Sequence, residues 1–216
     1  TVTLLTLTVA EPIAQDLERQ LAHLQTSGVK WIINTGRDMS SLMEALARSR
    51  VSIQPDFLVL VEREIYQHDG IRYVGWNARC AREHGELFAR VRPDVPKLNA
   101  WVNERFRATV YEDAFSPFCL IADNNGDADV IHDFLEDYCQ GVPNLTVVRN
   151  DVYARFSHAA FNKGTALTEI CRRVNVSPEA VLAAGDHLND LPMLKLDRAS
   201  RLVSPVNAVT AVKQAV

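Results

Sequence analysis

Apolar runs alternate with amphipathic stretches along the first part of the chain. A run of β-branched and apolar residues predicts a strand over 1–9, and an amphipathic helix follows to about Thr26. Apolar runs at 29–34 and 56–61 predict two further strands, with a helix between them that ends near Arg48. Strands that alternate with helices in this way favour a parallel sheet with right-handed crossovers.

The pattern changes over 67–155, where short strands and helices no longer alternate regularly. We expect this segment to form an inserted α+β domain. Its predicted strands are 73–74, 108–111, 118–122 and 145–149, and its predicted helices are 78–90 and 129–140. Between them, 97–104 is a shorter element around Trp101.

The alternation resumes after the insertion, with a helix and then predicted strands over 181–184 and 201–203. The sequence therefore predicts an α/β fold with a doubly wound parallel-sheet core. Residues 1–66 form the first part of this core, 67–155 the inserted α+β domain, and 156–216 the second part of the core.

Composition narrows the class of protein. Of the 216 residues 47% are hydrophobic, and no apolar run approaches the roughly 20 residues that span a bilayer. A net charge of −4 gives no basic balance for nucleic-acid binding. The four cysteines are scattered, as is typical of reduced thiols in the cytoplasm. We therefore expect a cytoplasmic protein with neither a nucleic-acid nor a membrane partner, and its start at Thr1 instead of Met suggests a fragment. The pattern predicts no oligomeric state.

Oxygen-bearing side chains cluster directly after the predicted strand at 181–184. Asp186, Asn189 and Asp190 follow Gly185, which allows a sharp turn at the end of the strand. Two carboxylates and an amide supply the hard oxygen ligands that Mg²⁺ prefers. Open α/β sheets bind their ligands at this carboxyl end of the strands. The alternative interpretation is a turn rich in helix-capping residues that binds no ligand.

Two other segments favour anion binding at the start of a helix. Thr35 and Gly36 end a predicted strand just before a helix, where a hydroxyl and free backbone N–H groups can hold a phosphate. Lys163 precedes another helix and could neutralise the charge of a phosphate. Each has a plain alternative, namely a common strand-to-helix turn for Thr35–Gly36 and a solvated surface side chain for Lys163.

The three segments, taken in order, resemble a known family. Residues 34–37 (NTGR), 162–167 (NKGTAL) and 185–190 (GDHLND) look like the second, third and fourth motifs of haloacid-dehalogenase-superfamily phosphatases. The resemblance runs from about Pro12 to the C-terminus and is weakest in the insertion. It is nearest to the branch with a large C2-type cap, which includes Cof-type and sucrose-phosphatase-like enzymes. It implies a Rossmann-like core in which residues 67–155 form a cap domain.

The resemblance also implies roles for individual residues. Thr35 and Lys163, with the backbone at Gly36, would hold the substrate phosphate during its transfer. The Mg²⁺ partners, direct or indirect, would be Asp186, Asn189 and Asp190. Because strand-to-helix turns of a parallel sheet emerge at one edge, we predict that the catalytic side chains surround one cleft, about 4–9 Å apart. These catalytic side chains are Thr35, Lys163 and Asp186.

One motif of the family does not occur in the chain. This first motif, Asp-x-Asp-Gly-Thr, supplies the aspartyl nucleophile and the general acid/base in that family. In one interpretation, the strand and both aspartates precede Thr1. In the other, residues 2–9 are the first strand, with Thr6 and Thr8 where the aspartates belong. Three intact later motifs favour the first interpretation, whereas the strand propensity of 2–9 supports the second.

The expected function is that of a Mg²⁺-dependent phosphomonoesterase, a hydrolase that works through an aspartyl-phosphate intermediate. Its nucleophilic aspartate would lie before Thr1, and its substrate would be a small phosphorylated metabolite such as a sugar phosphate. The alternative is a non-catalytic protein of the same fold that binds a phosphorylated metabolite but lacks the nucleophile.

Overall fold

The computed structural model describes residues 4–7, 15–49, 52–67 and 73–216. These residues form two compact units, and one of the two boundaries between them, at Asn77, lies inside a helix. The first unit comprises the described residues of Thr1–Asn77 and Asn162–Val216, and the second comprises Ala78–Phe161.

The described residues form ten strands and seven α-helices. The strands are β1 Leu4–Leu7, β2 Lys30–Asn34, β3 Phe57–Leu60, β4 Glu64–Gln67, β5 Ala108–Tyr111, β6 Cys119–Ala122, β7 Leu145–Asn150, β8 Tyr153–His158, β9 Val181–Ala184 and β10 Arg201–Val203. The helices are α1 Gln15–Thr26, α2 Met39–Ser49, α3 Val74–Val91, α4 Val95–Arg105, α5 Asn125–Gln140, α6 Lys163–Val174 and α7 Thr210–Ala215.

The first unit is built on a six-stranded sheet in the order β10-β9-β1-β2-β3-β4. All neighbouring strands are parallel except β4, which is antiparallel to β3. Alternate residues of β2 and β3, such as Ile33 and Leu58, share one face of the sheet and pack against Leu21 of α1 and Leu42 of α2. The predicted α/β fold with a parallel-sheet core is confirmed.

The second unit is an antiparallel sheet covered by helices. Its strands run in the order β5-β6-β8-β7. Alternate residues of these strands, such as Leu120 and Phe156, face a core shared with the helices. On the helices, the ring of Trp101 stacks on that of Phe134, with their centroids 3.7 Å apart. This unit therefore has a hydrophobic core of its own.

Several local predictions differ from the structure, and strand β4 is one of the elements that were not predicted. The predicted strand at 73–74 is wrong, because Val74 begins helix α3. Strand β8, at Tyr153–His158, was not predicted, since its polar residues hide the alternation that buries Ala154 and Phe156. Helix α7 was not predicted either. Of the predicted first strand, residues 1–3 and 8–9 lie outside the described residues.

No helix in the described ranges is both long enough and apolar enough to cross a membrane.

Candidate active site

Thr35 and Gly36 follow the carboxyl end of β2, in a turn held by the neighbouring strand. The backbone N–H of Thr35 donates to the carbonyl of Val59 (2.9 Å), and the N–H of Glu62 donates to the carbonyl of Thr35 (3.0 Å). The Thr35 hydroxyl accepts from the N–H of Arg37 at 3.2 Å and, as a hydroxyl, can still donate its own proton. Thr35 is only 4% exposed, so this donor lies in a largely water-excluded place.

Asp190 organises the acidic loop that follows β9. Its Oδ2 accepts hydrogen bonds from the backbone N–H groups of Asp186 (2.9 Å) and His187 (3.1 Å). Its Oδ1 accepts from Nζ of Lys163 at 2.6 Å. A side chain at position 185 would overlap Asp190, which explains why the loop needs Gly185. Both oxygens of Asp190 are thus engaged in holding the loop and the lysine in place.

Lys163 is buried at the first turn of α6, and only 1% of the residue is exposed. The interpretation of Lys163 as a solvated surface lysine is therefore wrong. Its backbone carbonyl accepts from Nδ2 of Asn34 at 2.9 Å, which ties the start of α6 to the end of β2. Asn162 caps the helix, accepting from the N–H groups of Gly164 and Thr165, both at 3.0 Å. A buried ammonium in this position is fixed at both its backbone and its charged end.

Asp186 lies half-buried at the start of the acidic loop. Burial raises the pKa of Asp186 above its usual value, and the nearby carboxylate of Asp190 raises it further, whereas Lys163 lowers it. Two carboxylates, Asp186 and Asp190, thus lie near the one ammonium of Lys163. A divalent cation would favour the ionised form of Asp186.

Glu62 is a carboxylate of this site that the sequence analysis did not identify. It follows β3 and is 5% exposed. Its Oε1 accepts from Nδ2 of Asn189 at 2.8 Å. A Cβ atom added to Gly36 would lie 3.3 Å from the same oxygen. Glu62 and the preceding Val61 have φ angles of 67° and 44°, in the left-handed region, where a residue with a side chain is less stable by about 1–2 kcal/mol. A glutamate after a strand is too common a feature for the sequence to have indicated this position.

Hydrogen bonds join the three segments that the sequence singled out. The side chain of Asn34, next to Thr35, donates to the backbone carbonyl of Lys163, and the Lys163 ammonium donates to Asp190. The side-chain amide of Asn189 donates to the carboxylate of Glu62. The backbone N–H of Glu62 in turn donates to the carbonyl of Thr35. The turns after β2, β3 and β9 and the start of α6 therefore meet at one edge of the sheet of the first unit. The arrangement brings together a hydroxyl, an ammonium and several oxygen ligands.

Strand β1 runs between β2 and β9 and is parallel to both. Thr6 is in register with Ile32 of β2 and Ala183 of β9. The carboxyl end of β1 thus points toward the same edge, between the strands that lead to Thr35 and Asp186. Thr8, the other threonine considered for the nucleophile position, lies outside the described residues.

The four cysteines are buried as free thiols. Burial raises the pKa of Cys119 and Cys171 to about 11 and that of Cys139 to about 12. A thiol with a raised pKa is a poor nucleophile near neutral pH. Cys119, Cys139 and Cys171 are therefore poor candidates for a nucleophile.

A family model for haloacid dehalogenase-like hydrolases matches residues 95–216 of the chain. The chain belongs to this family. The resemblance carried by the three sequence motifs is confirmed, and so is the prediction that the protein is a hydrolase. A search of curated proteins found no significant sequence match.

Solved structures support the same fold for this haloacid dehalogenase-like hydrolase. The sucrose-phosphatase of Synechocystis sp. PCC6803, in complex with sucrose and phosphate, aligns with a TM-score of 0.72 and 18% identity, over 99% of this chain and 86% of that one. A haloacid dehalogenase-like hydrolase from B. subtilis has a TM-score of 0.67 and 15% identity, over 98% of this chain and 92% of its own. A haloacid dehalogenase-like hydrolase from Bacteroides thetaiotaomicron has a TM-score of 0.65 and 16% identity, over 100% of this chain and 92% of its own. At these identities the likeness establishes the fold.

Proposed function

We propose that this haloacid dehalogenase-like hydrolase is a Mg²⁺-dependent phosphomonoesterase that acts on a small phosphorylated metabolite. The observation that carries the proposal is the meeting of Thr35, Lys163 and the Asp186 loop at one sheet edge. Phosphoryl transfer depends on positive charge and hydrogen-bond donors around the transferred group. The Thr35 hydroxyl, the backbone at Gly36 and the Lys163 ammonium supply these donors.

The donor set fits Mg²⁺. Asp186 and the amide oxygen of Asn189 are hard oxygen ligands. Burial, and after it the nearby carboxylate of Asp190, raises the pKa of Asp186, and a divalent cation would favour its ionised form. We assign these two residues as the direct partners of the metal. Asp190 was also predicted as a metal partner, but its oxygens bind Lys163 and two backbone N–H groups, which favours an indirect role. When bound, Mg²⁺ would offset the charge of the phosphoryl oxygens.

The nucleophile is proposed by resemblance, as an aspartate ahead of Thr1. It would attack phosphorus and displace the alcohol of the ester, which leaves with a proton from the general acid of the same motif. Water would then cleave the aspartyl-phosphate, which releases inorganic phosphate and restores the carboxylate. Lys163 and Thr35 would hold the phosphoryl oxygens during both steps. The inserted segment, predicted as 67–155 and compact over Ala78–Phe161, is proposed to form the cap domain that selects the substrate. A neighbour solved with sucrose and phosphate supports a sugar phosphate as the kind of substrate to test first.

One observation favours the non-catalytic alternative. Residues Leu4–Leu7 fill the central strand of the sheet, whose carboxyl end lies between the strands leading to Thr35 and Asp186. If that strand is the family's nucleophile strand, Thr6 and Thr8 stand near the positions of its aspartates. A threonine hydroxyl does not replace a carboxylate as nucleophile or Mg²⁺ ligand without a large loss. The site would then bind phosphate without turning it over.

Mg²⁺ binding by the full-length protein tests the assignment of the metal site. At a concentration of ten times its Kd, Mg²⁺ should stabilise the fold by about 1.4 kcal/mol, which raises the thermal midpoint by roughly 3–5 °C. Asp186→Asn should remove this rise, and Asp123→Asn, at an exposed position far along the chain, should keep it. An equal rise in Asp186→Asn and the wild type would place the metal elsewhere.

A further inference from the structure

We propose that Glu62 is a positioning residue of this site, whose carboxylate orients the side-chain amide of Asn189 so that the amide oxygen faces the cation. The inference rests on the proposed function, because it assumes a Mg²⁺ ion bound by Asp186 and Asn189. It adds a residue for which the three motifs provide no signal.

The contact between the two side chains fixes the orientation of the amide. Oε1 of Glu62 lies 2.8 Å from Nδ2 of Asn189. An ionised carboxylate only accepts hydrogen bonds, so the NH₂ group of the amide must face it. The amide oxygen of Asn189 then faces away from Glu62. Because Glu62 is 5% exposed and Asn189 is 9% exposed, water competes little for this hydrogen bond.

The backbone of Glu62 indicates that its side chain is needed. With φ at 67°, Glu62 occupies the left-handed region that glycine adopts without a steric penalty, and the preceding Val61 is left-handed as well. Two hydrogen bonds hold the turn in place, from the N–H of Val61 to the carbonyl of Arg37 (2.9 Å) and from the N–H of Glu62 to that of Thr35 (3.0 Å). Strained backbone of this kind clusters at functional sites, which favours a role for this turn.

The position of Glu62 also links the two halves of the site. Its carboxylate lies beside Gly36, on the side of the proposed phosphate loop, and reaches Asn189 in the metal loop. The carboxylates of Glu62, Asp186 and Asp190 lie in this region. The ammonium of Lys163 lies among them. A third carboxylate increases the attraction for a divalent cation and opposes phosphate binding when no cation is present.

Calorimetric titration of the full-length protein with MgCl₂ tests the proposal. Glu62→Gly should weaken Mg²⁺ binding by roughly 10-fold, the lower end of the effect expected for a residue that orients a metal ligand. Its thermal midpoint should stay unchanged or rise, because glycine suits the left-handed backbone. Glu62→Gln keeps the size of the side chain, and its amide can either accept from or donate to Asn189. Its affinity for Mg²⁺ should therefore lie between those of the wild type and Glu62→Gly. If Glu62→Gly does not fold, Glu62→Gln decides the question.

A double-mutant cycle separates positioning from a general loss of charge. If Glu62 acts through Asn189, the variant carrying both Glu62→Gly and Asn189→Ala should bind Mg²⁺ no more weakly than Asn189→Ala alone. Val61→Gly, which relaxes the neighbouring left-handed residue and keeps the carboxylate, is the matched control and should keep wild-type affinity.

The possible outcomes distinguish this inference from the function on which it rests. Wild-type affinity in Glu62→Gly, or additive losses in the double variant, would overturn the role of Glu62 while Asp186→Asn still abolished binding. No Mg²⁺ binding by the wild type would overturn both proposals.

Discussion

The Lys163–Asp190 pair shows how surroundings decide what a charged residue does. The two side chains are 1% and 0% exposed, and their charged atoms are 2.6 Å apart. Taking two charges out of water is costly, and the cost is offset here because Asp190 also accepts two backbone N–H groups. The pair therefore supports the shape of the acidic loop as well as placing a cation at the site.

Breaking this pair should destabilise the fold. Lys163→Met leaves the Asp190 carboxylate buried without its cation, which should lower the free energy of unfolding by about 3–5 kcal/mol in urea titrations. Adding Asp190→Asn to Lys163→Met should recover part of the loss, since no unpaired charge is then left buried.

Lys195→Met provides the control for this prediction, because Lys195 is exposed and its replacement should change the unfolding free energy by less than about 0.5 kcal/mol. A loss in Lys163→Met no larger than that in the control would show that the buried pair contributes nothing to stability.

At the scale of the residue, the sequence identified groups more reliably than their roles. Thr35, Lys163 and Asp186 were singled out because each adjoins a predicted strand-to-helix turn, and their roles were inferred from the resemblance to the family's motifs. The sequence could not show that Lys163 is buried or that both oxygens of Asp190 are engaged, because burial depends on packing between distant segments. Glu62 was not identified for the same reason, because its partner Asn189 lies 127 positions away in the sequence.

At the scale of the element, the start of α6 is shaped by close packing. Asn162 and Thr165 form a reciprocal capping box, with the N–H of Asn162 donating to the Thr165 hydroxyl at 3.0 Å. Gly164 lies against the carbonyl of Pro192 and the guanidinium of Arg198, so that a Cβ atom there would overlap both. The first turn of α6, with Lys163 in it, is thereby pressed against the segment that follows the acidic loop.

Gly164→Ala should therefore be destabilising in spite of the higher helix propensity of alanine. Overpacking of this kind costs about 1–3 kcal/mol, which outweighs the gain of up to about 1 kcal/mol from propensity. Chemical unfolding measures the difference.

The matched control is Gly85→Ala in α3, where an added Cβ would meet nothing within 4 Å and the gain in propensity should appear alone. A stabilised Gly164→Ala would mean that α6 can move away from Pro192 at little cost.

Strands made largely of apolar residues were predicted well, whereas a strand that mixes polar and apolar residues was not. The strands at 181–184 and 201–203 were predicted with the bounds that the structure has. By contrast, β8 carries Arg155 and Ser157 within a buried strand, so its sequence lacks the plain apolar alternation on which such predictions depend. The false strand at 73–74 rested on two residues only, too few to outweigh the helix that begins at Val74.

At the scale of the whole molecule, the sequence predicted a parallel-sheet core interrupted by a segment of different pattern. The described residues form one six-stranded and one four-stranded sheet, each in its own compact unit. The identity of the nucleophile is the feature that neither the motifs nor the topology supplies. The motifs favour an aspartate ahead of Thr1, and the central place of Leu4–Leu7 in the sheet favours threonines at that position.

Release of inorganic phosphate tests the account most directly. The intact gene product should be incubated with a set of phosphomonoesters that includes sugar phosphates, with and without Mg²⁺. We predict phosphate release that requires Mg²⁺ and falls by at least about 100-fold in Asp186→Asn, because that variant loses the carboxylate assigned to the metal. Folded protein that binds phosphate but releases none from any ester, or release that persists without Mg²⁺ and in Asp186→Asn, would contradict the account.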